Sequence, residues 1–170
     1  DLTQAEGLAD LFEVTVVQRT KLATSRDGLR FEAHRDILGA AYFRVFPHGG
    51  FHYALAMPGL LYRSRDGRSA FEKGPTLFGR GMRHAALCLR GDRLHVFYTN
   101  VGDAPESILH TTIDLAGDWH GWRADEARVV LAPERDWEGG DRPLAPSERG
   151  LAEGPVRQLR DPCVFEEDGS

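Results

Sequence analysis

Thr24-Ser25-Arg26-Asp27-Gly28-Leu29-Arg30-Phe31-Glu32 returns about 40 residues later as Arg63-Ser64-Arg65-Asp66-Gly67-Arg68-Ser69-Ala70-Phe71-Glu72. Asp-Gly between strand-like residues is a hairpin signal, because glycine supplies the positive φ that a tight turn needs. A matching strand end follows each copy, Asp36-Ile37-Leu38-Gly39 and Thr76-Leu77-Phe78-Gly79. A degenerate third copy, Thr111-Thr112-Ile113-Asp114-Leu115-Ala116-Gly117-Asp118-Trp119, precedes Val129-Val130-Leu131.

Hairpins of a second kind lie between these turns. Tyr42-Phe43-Arg44-Val45-Phe46 turns at Pro47 to Gly50 into Phe51 to Ala56, and Arg83 to Leu89 turns at Arg90-Gly91-Asp92 into Leu94 to Tyr98. Near the C-terminus, Leu159-Arg160-Asp161-Pro162-Cys163-Val164-Phe165-Glu166-Glu167-Asp168-Gly169 reads as the first half of another. Pro162 lacks a backbone donor and suits the start of a strand, which Cys163, Val164 and Phe165 then form. Aligned on Gly50, Gly91 and Gly169, the three hairpins place Tyr42, Arg83 and Asp161 in register, each eight residues before its glycine.

One unit is therefore four antiparallel strands, and its recurrence predicts an all-β fold of the β-propeller type. A β-sandwich has similar strand spacing but does not require a repeating unit. The expected organisation is a single partial propeller domain: 13–39 the end of one blade, 42–79 and 83–131 whole blades, 132–158 a long loop, 160–170 the start of the next. An open edge is an aggregation hazard, so the missing blades are expected from the rest of a longer chain or from an oligomer partner. Asp1 to Phe12 reads as a short helix or lead-in, and Glu13 to Thr24 as strand.

Composition bounds the classes. The chain has 170 residues and a net charge of −5, with Arg interspersed among Asp and Glu rather than grouped. This leaves no footprint for nucleic acid or a polybasic membrane contact. No apolar run approaches the roughly 18 residues of a membrane span, and no secretion signal is visible, which favours the cytoplasm. Cys88 and Cys163 lie in apolar runs and read as buried free thiols.

The Ser-Arg-Asp-Gly…Phe-Glu turns, Ile113-Asp114-Leu115 with Asp118-Trp119, and Arg160-Asp161-Pro162 together resemble the five-bladed propeller superfamily of arabinanases, xylosidases, invertases and levansucrases. The resemblance is to an uncharacterised bacterial branch. It implies five blades, a carbohydrate ligand in a central funnel, and hydrolysis of a glycosidic bond. Sialidases, with a related turn in six blades, are a further alternative, as is a propeller that binds a glycan or a protein without catalysis.

Blade starts facing a funnel deliver Tyr42, Arg44, Arg83, His84, Arg160 and Asp161 as candidate site residues. Glycoside hydrolysis calls for two carboxylates. In the pattern that the resemblance implies, Asp161 is the base or the carboxylate that stabilises the transition state. Glu153, in Glu153-Gly154-Pro155, is similar to the general acid. Arg160 and Arg83 would hold Asp161 ionised or bind the substrate, and Trp137 in the long loop is expected to stack on a sugar face. No cofactor is expected beyond a funnel-bound ion such as calcium, which the resemblance places near His84.

Overall fold

The computed structural model describes residues 18–167. The expected lead-in helix, the strand expected over residues 13–17 and the Asp168-Gly169 turn lie outside the described residues.

Strand-forming residues and the Asp-Gly turns produce ten antiparallel strands in three sheets among the described residues. Strands β1 (Arg19–Ser25) and β2 (Phe31–Ala40) form a two-stranded sheet. A four-stranded meander follows: β3 (Arg44–His48), β4 (Phe51–Ala56), β5 (Leu60–Ser64) and β6 (Glu72–Thr76). The second meander holds β7 (Met82–Arg90), β8 (Arg93–Asn100), β9 (Ile108–Asp114) and β10 (Arg128–Leu131). The all-β expectation holds. The described residues make three antiparallel sheets and no closed ring.

The two Ser-Asp turns are chemically alike. In the β1–β2 turn, Asp27 Oδ1 accepts from the Leu29 and Arg30 amides, each at 2.9 Å, and Ser25 Oγ accepts from Gly28. In the β5–β6 turn, Asp66 Oδ1 accepts from the Arg68 and Ser69 amides at 2.9 Å, and Ser64 Oγ from Gly67. Short side chains that bond the backbone two or three residues ahead explain why this spacing recurs. Ser64 also donates to the Ser69 carbonyl at 2.6 Å and is buried, so the second copy is the more tightly held.

Aromatic packing joins the two larger sheets. Trp119 and Trp122, in and beside the 3-10 turn Trp119–Gly121 between β9 and β10, are both buried. They pack on Tyr53 of β4, with ring centroids 5.8 and 4.8 Å away. Each buried indole removes on the order of 200 Å² from water and dominates its surroundings energetically. Gly74 in β6 makes the room: a Cβ there would lie 2.3 Å from the Trp119 ring. Arg63 completes the junction with its guanidinium 4.4 Å over Trp119.

Two local expectations are corrected. Residues 161–167 form no strand. The segment runs along β7, held by side chains through His84–Asp161 and Arg90–Glu166, and no backbone ladder forms between them. A strand needs a hydrogen-bonded neighbour, and apolar character alone does not supply one. Cys163 is exposed rather than buried for the same reason, and Cys88 is half-buried; both are free thiols.

Candidate functional site

Three non-glycine residues with left-handed backbone meet at one end of the larger sheets: Tyr42 (φ 63°), His84 (φ 52°) and Asp161 (φ 54°). Tyr42 directly precedes the first meander, His84 lies in the first strand of the second, and Asp161 begins the segment that runs along β7. The Tyr42 and His84 ring centroids are 5.6 Å apart, and His84 Nδ1 is 3.2 Å from Asp161 Oδ1. Left-handed backbone costs roughly 1–2 kcal/mol for a residue with a Cβ, and such strain clusters at functional sites.

A β-bulge explains how His84 arrives there. Arg83 pairs with Thr99 and Ala86 with Phe97, so His84 and Ala85 together oppose Tyr98. The extra residue breaks the alternation and re-aims the side chain. Arg44 stabilises the bulge from the neighbouring sheet, its Nε donating to the Ala85 carbonyl at 2.7 Å. That bond is what draws β3 against β7 and Tyr42 against His84.

Beneath this cluster lies Glu106, in the connection between β8 and β9. It is 0% exposed and takes Arg83 through both oxygens: Nε donates to Oε1 at 2.8 Å, and Nη2 makes a very short contact with Oε2. Arg160 Nε donates to the same Oε2 at 3.1 Å. Burial is the largest single effect and opposes the charge on Glu106, but the hydrogen bonds it accepts, led by those of Arg83, and the Arg83 charge together outweigh it, and the carboxyl is held below its ordinary value. The backbone repeats the attachment, with the Leu159 amide donating to the Glu106 carbonyl at 2.9 Å. Glu106 thus fixes the segment that delivers Asp161.

The predicted residues divide accordingly. His84, Tyr42 and Asp161 come together. Arg83 is buried on Glu106 and on the Glu148 carbonyl, beneath the cluster and not at its surface. Arg160 is spent on Glu106, the Gly150 carbonyl and Gln158 Oε1, and Arg44 on Ala85. Glu153 is exposed on its loop and joins neither cluster. Trp137 lies on a separate 3-10 turn and is 82% exposed. Glu106 went unnoticed in the sequence. Its signal is indirect: Arg83 and Arg160, at unit-start positions, have one adjacent acid between them, Asp161, which leaves a counter-charge to be supplied from elsewhere in the chain.

Burial holds the His84 imidazole below its ordinary value; Asp161 pulls it up and Arg83 pushes it down. Its ring is therefore neutral at pH 7. Nδ1 faces the Asp161 carboxylate without the alignment of a hydrogen bond. Asp161 keeps a well-exposed side chain, 70% accessible. Beside Tyr42 opens a recess of about 350 Å³ lined by Gln18, Arg19, Ala41 and Tyr42, contiguous with one of about 480 Å³ that reaches Met82 and Arg149. A larger cavity of about 710 Å³ lies elsewhere, between the β1–β2 hairpin and Arg68-Ser69. Its walls are one face of the β1–β2 hairpin, the turn that closes it and Arg68-Ser69, and none of the strained residues Tyr42, His84 and Asp161 lines it, so we place the site at the strained cluster.

A calcium ion does not fit this cluster. Calcium takes six to eight oxygen ligands, whereas the set here is one carboxylate and one imidazole backed by two guanidiniums. Among the described residues no group of three or more His, Cys, Asp or Glu side chains could hold a metal ion.

Comparison with known proteins adds one relative and removes one expectation. An uncharacterized protein of Acanthamoeba polyphaga mimivirus is 38% identical, over 88% of this chain and 47% of its own length. The chain thus spans about half of the relative it matches. No family model matches, and no solved structure does. The resemblance to a bacterial branch of the five-bladed glycosidase superfamily is therefore corrected: the similarity found is to a giant-virus protein, not to those enzymes.

Proposed function

We propose that the chain is part of a β-propeller that binds a carbohydrate where Tyr42, His84 and Asp161 meet. The observation that carries this reading is the convergence of three strained residues from three segments beside an open recess. The Asp161 carboxylate offers acceptors and a neutral imidazole one acceptor and one N–H donor, matched to the hydroxyls of a polyol, and the tyrosine adds an aromatic face and a hydroxyl. Glu106 answers one of the two guanidinium charges beneath and the Asp161 carboxylate supplies a second negative charge at the cluster, so no anion is called for.

The propeller part rests on the repeated unit. The β1–β2 hairpin carries the same turn as β5–β6 and so corresponds to the outer half of a four-stranded unit. Two further strands would add to β1, from elsewhere in the full-length protein or from a second copy. Exposed Phe31 and Ile37 support such covering.

Binding is favoured over hydrolysis because hydrolysis needs a second carboxylate able to give up a proton. Glu106 is locked between two guanidiniums and Glu153 stands apart. The test is a glycan-array screen followed by titration of wild type and Asp161→Asn. The expected result is a retained glycan whose affinity falls at least tenfold in the variant; retention of no glycan, or equal affinities, overturns the reading.

A further inference from the structure

We propose that Trp137 and the cleft beside it form a second sugar subsite, so that the ligand is an oligosaccharide running along Gln158 to Asp161. This rests on the carbohydrate reading of the Tyr42–His84–Asp161 cluster and specifies its ligand. Trp119 and Trp122 are each 3% exposed, while Trp137 stands out in solvent. A lone indole on the surface forfeits its burial, and here the surrounding turn holds it there. The Glu138 carboxylate accepts from the Glu134 and Arg135 amides at 2.9 and 3.0 Å, closing the turn on itself. Gly139, with φ 77°, lies so close to the neighbouring segment that a Cβ would sit 2.1 Å from the Val156 carbonyl oxygen. A Cβ on Gly140 would sit 2.4 Å from that of Glu134. Trp137 is thus presented on a rigid support, which lowers the entropy cost of stacking a ligand on it.

The indole opens on a cleft of about 280 Å³ whose walls include Asp136, Arg142, Gln158 and Leu159. An apolar face rimmed by hydrogen-bonding side chains suits a pyranose, which offers C–H groups on one face and hydroxyls at its edge. Continuity selects an oligomer over a single ring. Gln158 and Leu159 wall the cleft and Asp161 belongs to the first cluster, and the three chain steps from 158 to 161 span at most about 10 Å. One sugar ring does not bridge that span, and several linked rings do.

The experiment uses cello-, xylo- and chito-oligosaccharides of two to six units, with acrylamide quenching of intrinsic fluorescence as readout. Trp137 is the exposed one of the three tryptophans, so quenching reports on it. We expect the six-unit oligomer of the recognised series to shield Trp137. In Trp137→Ala the ratio of six-unit to two-unit affinity should fall at least tenfold, with Trp137→Phe retaining most of it. In Asp161→Asn both affinities should fall together. An unchanged ratio in Trp137→Ala, or no shielding by a bound six-unit oligomer, overturns the subsite alone. Failure of wild type to bind any length in any series overturns the subsite together with the reading on which it rests.

Discussion

Replacing Glu106 by Gln removes a charge and almost no volume, and the structure says what that costs. The Glu106 side chain is fully buried, Arg83 is 5% exposed and Arg160 18%. One carboxylate therefore answers two guanidiniums, and the variant leaves both cations in place without it. Breaking a buried pair costs about 3–5 kcal/mol, because the remaining charge stays desolvated. Gln still offers one oxygen as acceptor, which puts Glu106→Gln near the lower end, about 3 kcal/mol. For a chain of this size 1 kcal/mol corresponds to about 2–4 °C, so Tm should fall about 6–12 °C. Urea melts followed by far-ultraviolet circular dichroism measure the loss. Arg83→Met in the same background should cost less than the sum of the single changes, since it removes one of the stranded cations. A loss below about 1 kcal/mol, or strict additivity, would refute the argument that Glu106 is the electrostatic keystone.

Other outcomes follow from the same geometry. At Tyr42, His84 and Asp161 the Gly variant should match or exceed the Ala variant in stability, by up to about 1 kcal/mol, reversing the usual strand order; denaturant melts of the three pairs check this. Burial holds both His84 and His110 below their ordinary value, so the native state binds fewer protons than the unfolded chain as pH falls from about 6.5. Stability should be greatest above pH 6.5 and fall as pH drops through the folded-state values, and His84→Asn with His110→Asn should flatten that slope in pH-dependent melts. Ser64→Ala should cost about 1 kcal/mol and Ser25→Ala less, because Ser64 is buried and makes the extra bond to Ser69. Gly74→Ala should destabilise by about 1–3 kcal/mol through collision with Trp119, read as a shift in tryptophan emission and in Tm.

How far the sequence discloses this molecule depends on the range of the interaction. The Ser-Asp turns are local hydrogen-bond systems, so they were legible, and with them the antiparallel all-β class. Their locality also explains the misplaced resemblance: Asp and Ser close such a turn in any hairpin, and shared turn chemistry does not establish shared ancestry or activity. Nonlocal features were hidden. Alternation cannot say that His84 and Ala85 jointly face Tyr98, so the sequence alone places Arg83 and His84 together facing a funnel, whereas the bulge parts them. Glu106 meets its partners across two segments far away in sequence, and nothing beside it marks it. Residues 163–165 are apolar enough for a strand, but a ladder depends on the neighbour and not on the segment.

Whether Tyr42, His84 and Asp161 act together on a carbohydrate is decided by a ligand titration followed by nuclear magnetic resonance. With ¹⁵N-labelled protein and the recognised oligosaccharide, the His84 imidazole signals should shift together with the backbone amides of Tyr42, His84 and Asp161. Shifts confined to other parts of the surface, or none at saturating ligand, would contradict it.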